Sequence, residues 1–389
     1  GQDMEVRQSF REKTGTINSD RCAEAQRTAR LVAHSHCASG GTTTTADNAH
    51  QFQSYCSRAC EAEPVLKRLD DVVFKAPSAP GKALRTSHNE REKLVAYQTD
   101  LLQKKPSATI LTETRVAFAD APHRWGSGEE KWGSLSLTYV SFQHKCADDG
   151  MNMRLKVQQR SANGLVVSET CDNEVCALAG LHADFMAMCN VTSNKLQYDV
   201  MDASVVPRCM DDHCDALTKA YLKDPQLLAD ATSYVRLSIQ QLQGEDIALA
   251  YANGVGHLGF IPEGNTMPSF VRRALKRYQE VVVLHIKLIQ TFWHSEVPDK
   301  WLRAFDLENW RRAYQIANKG KQATRLQELQ EDTTKFFRYQ GMRFGDTGFD
   351  SFRDSALERF IHGHINEQKP TTDKSFYSCD CWRNTSVAL

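Results

Sequence analysis

The sequence predicts an α+β chain, mainly α: an elongated helical bundle carrying an inserted small disulfide-braced antiparallel β-sheet. Helix-forming segments with apolar residues at 3.6-residue spacing flank the middle of the chain on both sides. Between 107 and 210 the pattern turns short and alternating, and Asn163-Gly164 suits a two-residue hairpin turn. The chain has twelve cysteines in its 389 residues. Cys146, Cys171, Cys176, Cys189, Cys209 and Cys214 fall in or beside that middle segment.

Residues 4–36 carry helix formers with few apolar positions, so a helix there buries only a narrow stripe. The Gly- and Thr-rich stretch 37–49 reads as a polar connection. Helical segments follow at 50–74 and 83–105. Cys56 and Cys60, four residues apart, share one helix face and look at one neighbouring element. Folding the first two helices antiparallel levels Cys22 with Cys60, which predicts that bridge. Cys37 and Cys56 then pair with each other or with Cys379 and Cys381.

Beyond Pro106, "ATILTETRVAF", "GSLSLTYVSF", "NMRLKVQQ", "GLVVSET" and "NKLQYDVMD" alternate. In "MRLKV", Met153, Leu155 and Val157 face one way, and Arg154 and Lys156 the other. A sheet of about five such strands covers too little apolar area to stand alone. Cystines would supply the missing constraint, at about 2–4 kcal/mol per closed loop. One helical piece, "EVCALAGLHADFMAMC", completes the insertion.

From Asp212 the helices return. Asp224-Pro225 is a good cap and first-turn pair for 226–243. Ser269 caps 270–293, where Val271, Leu275, Tyr278, Val282, Ile289 and Phe292 form a stripe. Asp299 caps a segment running from 301 to 339, broken at Gly320; unbroken it would reach roughly 55 Å. A last helix at 350–365 precedes a cysteine-containing tail. The domain reading is 1–106, an N-terminal helical part; 107–210, the β insertion; and 211–389, a C-terminal helical part whose tail packs back on the body.

Function is read mostly from exclusions. Lys plus Arg and Asp plus Glu each number 48, so no global field attracts nucleic acid or a strongly charged substrate. The longest apolar run, 281–293, is interrupted by His285, Lys287 and Gln290 and falls short of the roughly 20 residues of a membrane span. The expectation is a chain without a transmembrane segment, with an anchor beyond Leu389 compatible. A start at Gly1 fits a processed secretory chain, its signal peptide removed, or a piece of a longer one.

Cysteine density and the Asn-x-Ser/Thr triplets at Asn190 and Asn384 point to an oxidising route, extracellular or at the cell surface. Residues 254–259, with glycines at 254, 256 and 259, match the letters of a dinucleotide-binding turn, but Pro262 and Gly264 follow where a helix should open, so no cofactor is expected. His34, His36 and Cys37, His213 and Cys214, His362 and His364, and Cys379 and Cys381 lack the Cys-x2-Cys spacing of a zinc site, so no metal is expected either. Nucleophile-elbow, zinc-protease and phosphate-loop motifs are absent.

The leading expectation is a receptor-like binding protein with an extracellular protein ligand. Arg338, Tyr339, Arg343, Phe344 and Phe349, aromatics interleaved with arginines, are its candidate interface. The alternative is a secreted or lysosomal enzyme with His182, Asp184 and His213 as acid–base candidates. A structural spacer in an extracellular assembly is a further alternative, which predicts a large apolar self-association patch.

Overall fold

The middle of the chain is helix where the sequence predicts strand. The computed structural model describes residues 16–19, 28, 31, 43–46, 48–104, 127–197, 203–223, 226–228, 230, 232–242, 268–294, 301–339 and 358–359. Two four-residue strands, β1 (Thr16–Ser19) and β2 (Thr43–Ala46), pair in parallel, Thr16 opposite Thr43. The helices are α1 (Asn48–Glu61), α2 (Pro64–Asp70), α3 (Pro80–Thr86), α4 (His88–Lys104), α5 (Ser127–Met151) and α6 (Val157–Thr170). After them come α7 (Asn173–Leu196), α8 (Val206–Leu217), α9 (Tyr234–Gln241), α10 (Ser269–His294), α11 (Leu307–Tyr314) and α12 (Lys319–Tyr339). π-helical turns extend α2 over Asp71–Lys75 and α8 over Thr218–Lys223.

The chain divides into two units, one of residues 1–54, 194–212 and 287–389, the other of 55–193 and 213–286. In the first, Asp306 caps α11 by accepting from Glu308 N at 3.1 Å and also pairs with Arg208. Trp310 is buried, and its indole N–H reaches the Ala304 carbonyl at 2.7 Å. Arg303 pairs with Asp332, tying the 3-10 turn Leu302–Phe305 to α12.

The second unit is built around α5, which packs against α4, α6 and α9. Its residues 131–139 are buried without interruption, so this helix is enclosed on all sides. That enclosure explains why "GSLSLTYVSF" misleads. The partners of its large apolar residues are Ser and Thr, small enough for tight helix packing; Thr138 Oγ1 donates to the Ser134 carbonyl at 2.7 Å, while the buried Ser136 hydroxyl has no partner among the described residues. Ser134, Ser136, Thr138 and Ser141 are as buried as Leu135, Leu137, Tyr139 and Phe142. The alternation is small against large, not outside against inside.

The Asn163-Gly164 pair is likewise helical, in α6. Asn163 Nδ2 donates to the Gln159 carbonyl at 2.9 Å, and a methyl on Gly150 would stand 3.5 Å from Gly164 N. Neither glycine forms a hairpin: a methyl on Gly164 would meet nothing within 4 Å among the described residues, and one on Gly150 would make ordinary contact with α6. The disulfide-braced antiparallel sheet predicted for 107–210 is therefore overturned: residues 127–151, 157–170 and 173–196 are helix. The segment 108–118 lies outside the described residues.

Thin layers need braces, and this continuous helical core has none to brace. Cys56, Cys60, Cys146, Cys171, Cys176, Cys189, Cys209 and Cys214 are all free thiols. Cys22, Cys37, Cys379 and Cys381, with the bridges predicted for them, lie outside the described residues.

Smaller corrections follow the same logic. Within 4–36, Thr16–Ser19 is strand. Segment 226–243 opens with a 3-10 turn at Gln226–Leu228 and becomes α-helical only at Tyr234, capped by Ser233. The 301–339 segment is interrupted at 315–318 and not at Gly320, which sits inside α12, so no single helix runs its length.

Candidate functional site

The most unusual chemistry in the second unit is a seam of thiols and imidazoles between α1, α7, α8 and α10. On α1, Cys56 and Cys60 do share a face, and both look at α7. Cys60 Sγ lies 3.7 Å from His182 Nδ1. Cys56 approaches Cys189 closely enough for a thiol–thiol hydrogen bond. His182 and Cys189 are seven residues apart, two helical turns, and so lie on one stripe of α7.

Helix α10 repeats that spacing. Tyr278 OH is 2.8 Å from His182 Nδ1, and His285 stands beside Cys56 and Cys189, with one ligand-capable atom from each of the three within 4.8 Å of one another. Phe185 packs edge-on against Tyr278 and His285 between the two layers. From α8, His213 Nε2 lies 3.2 Å from His285 Nε2, and its Nδ1 lies 3.0 Å from Thr192 Oγ1.

The seam is dry. Cys56, Cys189 and Tyr278 are at most 1% exposed and His285 is fully buried. Burial pushes His182 down to about 3, with Asp70 opposing and Lys131 reinforcing. Burial also pushes His285 down to about 4 against a hydrogen bond with the Tyr55 backbone. The Cys60 thiol is raised by burial and then by Cys56. A protonated thiol beside a neutral imidazole is not the thiolate–imidazolium pair of a cysteine nucleophile.

The sequence-predicted acid–base trio is thus placed but not assembled for catalysis. His182 and His213 belong to different layers of the seam. Asp184, on the same helix, faces α9, where its Oδ1 and Oδ2 accept from Tyr234 N and Val235 N at 2.8 and 2.9 Å. Two orphan amides of a helix start are thereby satisfied and the helix dipole is met by an acidic group. Gly180 lets α9 come that close, since a methyl there would strike the Val235 backbone. Burial pushes Asp184 up to about 7, against those two N–H donors.

A second polar cluster floors a cleft of about 560 Å³ between residues 77–87 and helices α5 and α6. Lys145, 1% exposed, bridges Glu90 and Asp149 at 2.6 Å each. Its ammonium is held above the usual lysine range: burial lowers it, but hydrogen bonds to Asp149 and Glu90 raise it more. A lysine locked as a cation is no nucleophile.

The remaining predicted sites are partly visible. Asn190 sits within α7, half-buried, its amide donating to Glu129 Oε2 at 2.6 Å. Arg338 and Tyr339 end α12, while Arg343, Phe344, Phe349 and Asn384 lie outside the described residues. At the turn joining α5 to α6, Met151, Met153 and Val157 are 73%, 79% and 67% exposed.

Helix α7 is long and apolar enough to cross a membrane, with 72% of its most apolar window buried. A core helix passes that test equally well.

Sequence reasoning missed the seam, since its residues come from positions 56, 189, 213 and 285 with no local spacing. The shared face of Cys56 and Cys60 was one signal, and His182 and His213 stood out as acid–base candidates without their thiol neighbours. The chain matches no protein-family model, no curated protein and no solved structure.

Proposed function

We propose that the chain is a binding protein that recognises a protein ligand through the turn joining α5 to α6. The observation that carries this reading is the exposure of Met151, Met153 and Val157 within one seven-residue stretch. Soluble surfaces seldom gather large apolar side chains, and methionine adapts readily to a partner's contours. Arg154 and Lys156, both exposed, flank them, so the fitting partner is a protein with an apolar socket rimmed by carboxylates.

An extracellular or cell-surface setting is part of the proposal, supported by the cysteine count and the two glycosylation triplets. The free thiols weigh the other way. Intact-mass measurement of native material, alkylated without reductant, decides the setting: twelve alkylated thiols would remove the extracellular part and leave the binder.

The binding test compares wild type with Met151→Glu/Met153→Glu in capture from extracellular fluid. A partner retained by wild type and lost by the variant, with unchanged thermal stability, is the expected result. Equal capture by both, or turnover of a substrate panel with no partner, would overturn it.

A further inference from the structure

We infer that Cys56, Cys189 and His285, completed by His213, form a buried site for one thiophilic closed-shell metal ion, Zn²⁺ in the first instance. Three observations converge. The donor set is two sulfurs and two imidazoles, the mixture that soft and borderline d¹⁰ cations select over Mg²⁺ or Ca²⁺. The three primary donor atoms lie within 4.8 Å of one another. A tetrahedral zinc with bonds of about 2.3 Å to sulfur and 2.0–2.1 Å to nitrogen needs donor separations of about 3.5–3.8 Å, a closure of roughly an ångström.

The fourth donor stands at ligand distance from His285 but outside the set of donor atoms mutually within 4.8 Å, so it swings toward the sulfurs on binding. His213 and His285 bring Nε2 to within 3.2 Å of Nε2, and two nitrogens sharing one zinc stand about 3.3 Å apart. Without the ion one imidazole donates to the other; with it both lone pairs turn to the metal. Thr192 Oγ1, 3.0 Å from His213 Nδ1, would then accept a hydrogen bond from Nδ1–H and fix that tautomer. Ligand histidines characteristically have such a partner on the other ring nitrogen.

The arrangement is that of a closed structural site and not a catalytic one. Cys56, Cys189, His213 and His285 are buried, no face is left for substrate, and each comes from a different helix. Binding takes the form Zn²⁺ plus two thiols giving a neutral zinc dithiolate and two released protons. Two thiolate charges cancel the dication, so the loaded site places no net charge in the core. Metal occupancy stands apart from any protein partner at the α5–α6 turn.

The test is titration of the reduced, metal-free full chain with Co²⁺, then Zn²⁺. One equivalent of Co²⁺ should give a sulfur-to-cobalt charge-transfer band with tetrahedral ligand-field absorption, bleached by Zn²⁺. Cys56→Ser and Cys189→Ser should each abolish the band, whereas Cys171→Ser, at an exposed thiol, should keep it. Since a core variant can fail to fold, zinc-edge X-ray absorption of the unmutated zinc-loaded chain gives a second reading, expected at two sulfur and two nitrogen neighbours. No stoichiometric uptake by the folded chain, a sulfur count other than two, or a native Cys56–Cys189 disulfide would overturn the site. Cu⁺ uptake in place of Zn²⁺, with the same two cysteines required, would keep the site and change the ion.

Discussion

Two polar cores in the same unit solve the problem of burial in opposite ways. The seam between α1, α7, α8 and α10 keeps its groups neutral: His182 and His285 are driven down, and the Cys60 and Cys189 thiols up, all first by burial. The cluster at the cleft keeps its groups charged and pairs them, with Lys145 held between Glu90 and Asp149. A neutral buried group costs little so long as it stays neutral, and it makes stability depend on pH. A paired buried charge is insensitive to pH near neutrality and depends wholly on its partner.

The largest effect should come from breaking the charged core. Lys145→Met leaves Glu90 and Asp149 paired only with the more exposed Lys93, at 2.8 and 3.6 Å, and should cost about 3 kcal/mol in denaturant unfolding. Adding Glu90→Gln and Asp149→Asn to the same variant should restore part of the loss, since two carboxylates that share only Lys93 then go with the lysine. A cost below about 1 kcal/mol for the single variant would mean that Lys93 and water already compensate the two carboxylates.

These clusters differ in how far the sequence discloses them. Lys145 and Asp149 are an i,i+4 pair on one helix, but strand was the expectation just upstream, where Ser and Thr alternate with large residues, and the structure is helix there. A buried Thr that bonds its own helix backbone, as Thr138 does, looks the same in sequence as a Thr facing water. Helices α1 and α10 were legible because one face of each is polar, as Ser57, Arg58 and Glu61 are exposed opposite buried Phe52, Tyr55, Cys56 and Ala59. The pairing face of Cys56 and Cys60 was legible too. What that face meets was not, since His182, Cys189, His213 and His285 converge only through the packing of four helices.

The neutral core is sharpened by two neighbours on α7 that respond to acid in opposite directions. The folded-state pKa of His182, about 3, lies below its unfolded value of 6.5. Its contribution is therefore present above pH 6.5 and is lost as pH falls. Asp184 is raised to about 7 from 3.8, so its contribution is present below pH 3.8 and is lost as pH rises. Between pH 5.0 and 6.5 the two nearly cancel in wild type.

Removing either exposes the other. Asp184→Asn should make the stability gain from pH 5.0 to 6.5 larger than that of wild type by about 2 kcal/mol, and His182→Gln should make it smaller by about 1.5 kcal/mol. Urea unfolding at the two pH values checks both. Parallel shifts of the same sign would mean that one of the groups is charged in the folded chain in the state opposite to that described.

The smallest effect tests whether burial or distance sets the worth of an ion pair. Arg68 and Glu169 meet at 2.6 Å, the same separation as Lys145 and Asp149, but their side chains are 63% and 20% exposed against 1% and 8%. Distance alone would make the two pairs equal. Water around Arg68 screens the attraction, and a long side chain must be ordered to make it, so an exposed pair contributes about 0.2–1 kcal/mol. A double-mutant cycle with Arg68→Ala and Glu169→Ala should give a coupling in that range that shrinks as salt is raised from 0.05 to 0.5 M, while any Lys145 coupling changes little. A salt-independent coupling above about 2 kcal/mol at Arg68 would overturn the contrast, because the exposed pair would then behave as a buried one.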